Sequence, residues 1–216
     1  MLDTRQKFDI GLHEIVPEYQ SANPLVRWLF HRRLTIARDF LRQTEARNFL
    51  DVGCGQGAFI ELVLKSGWTG GEIWGIDLNP SVGELKQKLA PAHFAVQDLN
   101  ALQFPSHSFD AIVTLDTLEH IADLLPPLAE FRRVLKPGGY LITSEPVESA
   151  WYKTLRFVLK GTYSMEHGPG AGVHYHNARG VERIIRASRF ELLKLKKLPL
   201  PAPLDLFHLA LYQVKE

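Results

Sequence analysis

The chain has 216 residues, 45% of them hydrophobic, and its 25 Lys and Arg against 24 Asp and Glu leave a formal net charge of +1. That composition fits one folded domain with a decorated core and excludes a disordered chain. A single cysteine, Cys54, excludes an internal disulfide framework, and no apolar run approaches the roughly 18 residues of a membrane-spanning helix.

The opening MLDTRQKFDIGLHEI is charged every few residues and lacks the apolar core of a signal peptide, so a cytoplasmic protein is expected. Charge is unevenly spread: residues 1–48, 49–150 and 151–216 carry net charges of +2, −7 and +6. A basic tail in a nearly neutral chain reads first as a solvated surface.

Within residues 1–47, NPLVRWLFHRRLTIARDFL has an amphipathic helical pattern with a basic face. It is expected to pack on a sheet edge or form a lid, with Tyr19 and Trp28 closing it. Five short runs follow, NFLDV (48–52), EIWGID (72–77), HFAVQD (93–98), FDAIVTL (109–115) and GYLITSE (139–145). Each is almost continuously apolar, as parallel strands buried on both faces are. Between them GAFIELVLKSG, PSVGELKQKLA and ADLLPPLAEFRRVLKPGG read as crossover helices. Strand and helix in alternation predict an α/β, Rossmann-like, mostly parallel sheet with helices on both faces. Ligands of such sheets bind beyond the carboxyl ends of the strands, here Asp51–Gly57, Asp77, Asp98, Leu115–His120 and Ser144–Pro146.

After residue 146 the pattern changes. ESAWYKTLRFVLKG reads as a helix, TYSMEHGPGAGVHYH as a loop, NARGVERIIRASR as a helix capped by Asn177, and FELLKLKKL and LFHLALYQV as a terminal strand pair. The loop of 161–176 is longer than packing needs, which suits a segment serving a site. No repeat or compositional break marks a second domain. The expected organisation is one domain over 1–216: a helical lid (1–47), a cofactor-binding core (48–146), an acceptor-side helix and loop (147–176), and a terminal helix and strand pair (177–216).

The stretch FLDVGCGQGAF, residues 49–59, carries Gly53, Gly55 and Gly57 behind a strand. It can be read as GxGxxA, and Asp77 at the end of the next strand stands where a ribose-binding carboxylate belongs, so a dinucleotide remains possible on these residues alone. Two features turn the reading. Asp51 would face a pyrophosphate unfavourably but pair well with a cationic amino group or sulfonium. Asp98 is placed to accept from an adenine amine, with Leu99 as an apolar wall.

With FLDVGCGQGAF, IWGIDLNP, VQDLNALQFPSHSFDAIVTLDTLEHIAD and LKPGGYLITSEP in order over 48–146, the chain resembles a class I S-adenosylmethionine-dependent methyltransferase of the type 11 group. The resemblance implies a seven-stranded sheet with an antiparallel last strand and S-adenosylmethionine as cofactor. It further implies that Gly53, Gly55 and Gly57 admit the methionine part and Asp51 binds its amino group. Asp77 would hold the ribose, Leu78, Asp98 and Leu99 the adenine, and Leu115 would lie beneath the sulfonium. Cys54 is expected only to line the pocket.

Methyl transfer from a sulfonium needs alignment and, for a hydroxyl or amine acceptor, a place for a proton. His120 of DTLEHI is the candidate base. Alternatively Asp116, Glu119 and His120, with His174 or His176, form an oxygen and nitrogen metal site. That set is similar to the motif of ubiquinone-pathway O-methyltransferases and small-RNA ribose methyltransferases, which begin with glutamate where this chain has Asp116. His174, Tyr175, His176 and Trp151 are expected to contact the acceptor, with Tyr152 and Phe157 as further apolar wall.

The expected acceptor is a small organic molecule, apolar or lipid-like, a reading that the apolar turn LPLPAPLDLF also suits. Peripheral membrane contact stays open. Nucleic acid is disfavoured: Lys194 and Lys196 share one face of a strand beside Lys197, but no RNA or DNA module accompanies them. Competing readings are an NAD(P)-dependent oxidoreductase and a non-catalytic binding module that keeps the fold.

Overall fold

The computed structural model describes Tyr19, residues 21–147 and residues 173–215. The expected helix over ESAWYKTLRFVLKG, with Trp151, Tyr152 and Phe157, and the loop up to residue 172 lie outside the described residues. Helix α1 (Pro24–Gln43) starts where the Asn23 side chain accepts the Leu25 N–H at 3.0 Å. Pro24 fits that first turn, because the N–H it lacks would have no partner there.

Strands β1 (Phe49–Val52), β2 (Ile73–Asp77), β3 (His93–Val96), β4 (Phe109–Leu115), β5 (Leu135–Pro146), β6 (Phe190–Pro199) and β7 (Asp205–Val214) form one sheet in the order β3-β2-β1-β4-β5-β7-β6. Neighbours from β3 to β5 are parallel, and β7 runs antiparallel to both β5 and β6. The remaining helices are α2 (Ala58–Lys65), α3 (Leu85–Lys88), α4 (Leu125–Val134) and α5 (Ala178–Ala187).

Alternation along each strand divides the core into two layers. Phe49, Ala111, Val113, Ile142, Leu209 and Leu211 face α1 and α2. Leu50, Val52, Ile112, Leu141, Ala210 and Tyr212 face α4 and α5. With both faces covered, the central strands must be apolar throughout, which is why they read as continuous runs. From β1 the chain winds out to β3 and returns to β4, so the carboxyl ends of β1 and β4 border the topological switch point where such sheets bind ligands.

Two elements differ from expectation. PSVGELKQKLA forms a 3-10 turn, Pro80–Glu84, before the four-residue α3. Its buried Val82 and Leu85 stand three apart, the spacing of a 3-10 turn, and Gly83 between them weakens an α-helix. Strand β5 begins at Leu135, absorbing the LKPGG expected to close α4, with a register shift against β4 between Phe109 and Ala111. Helix α5 is capped as expected, the Asn177 side chain accepting from Gly180 N–H at 3.0 Å.

Candidate active site

Beyond Val52 the backbone turns into α2 through Gly53 and Gly55, with positive φ of 71° and 51°. A Cβ on Gly53 would lie 2.3 Å from Thr117 Oγ1, so only glycine lets this turn meet the segment after β4. A Cβ on Gly55 would meet nothing within 4 Å; the turn opens there into free space. Asp77 fastens the turn from the next strand. Its Oδ2 accepts the Gly55 N–H at 2.9 Å and its Oδ1 accepts the Asn79 N–H at 2.9 Å, leaving each oxygen a further lone pair.

Asp51 is 2% exposed and its Oδ2 has no hydrogen-bond partner. Burial, reinforced by the charge of Asp77, pushes its carboxyl up to about 8. Burial and the same two aspartates hold the Cys54 thiol far above its ordinary range, so it remains protonated and unreactive. Leu78 is 65% exposed at the end of β2. Asp98 is exposed, its Oδ1 accepting from the backbone and side-chain amides of Asn100 at 2.8 Å each. Leu99 is buried behind it, and Leu115 is partly buried against the α1-side core.

These residues fit an adenosyl sulfonium cofactor. A buried carboxyl without a partner suits an ammonium group, the open glycine turn admits the methionine chain, and Asp77 keeps acceptor capacity for hydroxyls.

Across the crevice, Asp116 adopts a left-handed conformation (φ 55°) and pairs with Arg33 of α1. Arg33 is 1% exposed, its guanidinium held 4.3 Å from the Phe30 ring centroid and 4.1 Å from that of Phe207. Asp116 and Tyr19 outweigh the cost of burying it, so it stays charged. Burial pushes the hydroxyl of Tyr19, which shares a hydrogen bond with Arg33, up to about 12. Tyr19 is buried with its ring edge-on to Phe30 and His31 of α1, whereas Trp28 is exposed.

Below Asp116, Glu119 and Glu145 are each 2% exposed. Burial raises both carboxyls, helped by the charge of Asp116 at Glu119 and of Glu119 at Glu145, so the pair holds a proton at neutral pH.

His120 ends the 3-10 turn Leu118–His120. Its Nδ1 lies 3.3 Å from the Val173 carbonyl, which can only accept, so Nδ1 carries the hydrogen and Nε2 presents a lone pair. The His174 ring packs edge-on against it, centroids 4.5 Å apart. Tyr175 N–H donates to the Glu119 carbonyl at 2.8 Å, and His176 Nε2 donates to the Ala122 carbonyl at 3.1 Å. Residues 173–176 are thereby strapped along the turn that follows β4.

Potential ligand atoms of Glu119, His120 and His174 all lie within 4.8 Å of one another. Of the alternative metal set, Glu119, His120 and His174 come together, whereas Asp116 pairs with Arg33 and His176 with the Ala122 carbonyl. Trp151 lies outside the described residues.

Sequence reading missed Arg33 and Glu145. Arg33 lies within a segment that reads as having a basic face, yet it falls in the helical register of Leu29, Ile36, Ala37 and Phe40, which are buried. An arginine on the apolar stripe was the available signal. Glu145 lay within a strand-end segment already marked, but without a motif to single it out.

A seven-stranded sheet of this order, with glycine turn and strand-end aspartates at its switch point, defines the class I methyltransferase fold. Residues 50–143 match the family model described as a methyltransferase domain. Demethylmenaquinone methyltransferase of Listeria welshimeri is 31% identical over 164 residues, covering 70% of this chain and 69% of that protein. The 2-methyl-6-phytyl-1,4-hydroquinone methyltransferase of Synechocystis sp. is 36% identical over 100 residues, 44% of this chain and 31% of that one.

Among solved structures, the N-methyltransferase NodS of Bradyrhizobium japonicum in complex with S-adenosyl-L-homocysteine superposes with a TM-score of 0.65 at 19% identity, covering 93% of this chain and 92% of that one. The chain belongs to the class I, type 11 family of S-adenosylmethionine-dependent methyltransferases. It spans from about a third to under two thirds of the length of several curated relatives it matches. No helix among the described residues is long and apolar enough to cross a membrane.

Proposed function

We propose that the protein transfers the methyl group of S-adenosylmethionine to a small apolar aromatic acceptor of the hydroquinone type. The observation that carries the cofactor half of this reading is the buried Asp51 carboxyl, unpartnered beside an open glycine turn that Asp77 holds in place. The acceptor class is supported by the relatives, which are named for hydroquinone and demethylmenaquinone methylation.

In this reading Asp51 holds the cofactor's ammonium group and Asp77 its ribose hydroxyls. Leu78, Asp98 and Leu99 form the adenine pocket, and Leu115 floors the reacting centre. When bound, the cofactor supplies a methyl group on a sulfonium that departs as a neutral thioether, so its leaving side needs no acid. The acceptor's proton remains to be placed, and the Nε2 lone pair of His120 takes it. Tyr19 and residues 173–176 cover the crevice against water. A second reading rests on the proximity of Glu119, His120 and His174: these three hold a divalent cation that orients an acceptor hydroxyl.

Calorimetric titration with S-adenosylhomocysteine, S-adenosylmethionine and NADH tests the cofactor half. Micromolar binding of the sulfur compounds is expected, weakened by about 100-fold in Asp77→Ala, which removes two hydrogen-bond anchors of the glycine turn along with the ribose acceptor. Binding of NADH alone would overturn it. Labelled methyl transfer to a reduced, demethylated naphthoquinone tests the acceptor half.

A further inference from the structure

The outer edge of the sheet carries a surface that methyl transfer does not use. Strand β6 is the edge strand, and its register sets Lys197 beside His208 and Leu195 beside Ala210 of β7. On this face α5 buries Val181 and Ile185, and turns Arg179, Arg183 and Arg186 toward the edge at helical spacing. A groove of about 430 Å³ runs between them, lined by these three arginines with Glu182, Leu195, Lys197 and His208.

Its charge is unbalanced. Arg186 pairs with Glu182 at 3.2 Å and Lys197 lies 3.9 Å from Asp205, while Arg179 and Arg183 form no ion pair among the described residues. His208, 5% exposed, donates from Nε2 to Asp205 at 2.7 Å, and its Nδ1 has no hydrogen-bond partner. Forked guanidinium groups without an acidic partner are suited to phosphate oxygens.

A second observation adds an apolar element. Pro146 at the end of β5 pairs with Phe207, so the β6–β7 turn, residues 200–204, emerges at the same end of the sheet as the glycine turn and His120. Leu200 and Leu204 on this turn are 52% and 37% exposed, and Leu195 in the groove wall is 38% exposed. Cations alone would suit any polyanion. Cations behind a turn that exposes leucines suit a surface with phosphate outside and hydrocarbon beneath.

We propose that this edge docks on an anionic lipid bilayer, with lipid phosphate in the Arg179–Arg183–Lys197 groove and Leu200 and Leu204 in the acyl boundary. The proposal rests on the apolar-acceptor reading and gives it a delivery route, because the docked turn lies at the same end of the sheet as the crevice. The test needs neither acceptor nor turnover, so its failure is distinguishable from failure of the methyltransferase reading.

The full chain is sedimented with phosphatidylcholine vesicles, with and without about one third phosphatidylglycerol. Binding to the anionic vesicles only is expected, falling as salt is raised. Neutralising two cations in Arg183→Gln/Lys197→Gln is expected to weaken partition about 30-fold at roughly 1 kcal/mol for each. Leu200→Ser/Leu204→Ser is expected to weaken it independently. S-adenosylhomocysteine binding by all variants should match the parent, which confirms that they fold. Equal binding to neutral vesicles, undiminished binding by both variants, or retention of inorganic phosphate or single-stranded RNA in the groove without vesicle binding would overturn the proposal.

Discussion

The crevice is bordered by two aspartates that the fold treats in opposite ways. Asp116, after β4, is matched within the protein by Arg33, itself buried between Phe30 and Phe207. Asp51, in β1, is buried far more deeply, 2% exposed against 28% for the Asp116 side chain, and forms no ion pair among the described residues. A buried charge that the chain neutralises is architecture, and one left unmatched is an opening for a cationic ligand. On the proposed function, this contrast divides the crevice into a cofactor end at Asp51 and an acceptor end at Asp116.

Breaking the matched aspartate should have the largest effect on the fold. Arg33→Met leaves Asp116 uncompensated above the buried Glu119 and Glu145 and is expected to cost about 3–5 kcal/mol in urea unfolding. Arg33→Met/Asp116→Asn should recover more than half of that loss, since it removes the orphaned charge as well. A single-variant loss below about 1 kcal/mol would mean that the pair is not the counterpart of Asp51 described here.

The unmatched aspartate should respond with the opposite sign. A carboxyl raised to about 8 from an ordinary 3.8 stabilises the fold below pH 4, and that contribution is lost as pH rises toward 8. The parent's stability should therefore decline across this window, and Asp51→Asn should flatten the decline. At pH 8 the variant should be more stable by roughly 3 kcal/mol, about half of what the full shift implies, because the amide's own hydrogen bonds also go unmade. Cofactor affinity should fall in the same variant. Binding of the ammonium group must ionise Asp51, so titrations at pH 7 in buffers of different ionisation enthalpy should reveal proton release by the parent and none by Asp51→Asn. Parallel pH profiles would remove the contrast.

The two ends also differ in how far the sequence exposes them. At the cofactor end the functional groups belong to strand termini and the turn after β1, so a run of apolar residues closed by an aspartate or glycine announces each one. Asp77 and the Gly55 N–H lie only 22 positions apart. At the acceptor end the partners come from distant segments: Arg33 reaches across 83 positions to Asp116, and His120 across 53 to Val173. No local pattern encodes such a pairing. His120 and His174 could be named as polar residues near the site, but their adjacency depends on a strap whose backbone bonds only the folded chain reveals. The parallel strands were legible for a related reason, since burial on both faces leaves a continuous apolar signature.

The smallest effect on stability, and the sharpest on the acceptor end, is expected from His174. Its ring contacts His120 at the crevice surface rather than in the core, so His174→Ala should change urea stability by less than about 0.5 kcal/mol and S-adenosylhomocysteine affinity by less than about twofold. Turnover is expected to fall by about 10- to 100-fold, because either role of the cluster is disturbed: the ring packed against the base is lost, or a ligand is. A chelator separates the two. If Glu119, His120 and His174 hold a cation, chelation of the parent should reproduce the loss seen in His174→Ala, leave that variant unchanged, and be reversed by added divalent metal. If His120 works as a base alone, the parent should be indifferent to chelation while His120→Gln falls at least as far as His174→Ala. Unchanged turnover in both histidine variants would mean that the acceptor's proton leaves by another group, and the buried Glu119–Glu145 pair beneath the same turn would be the next to substitute.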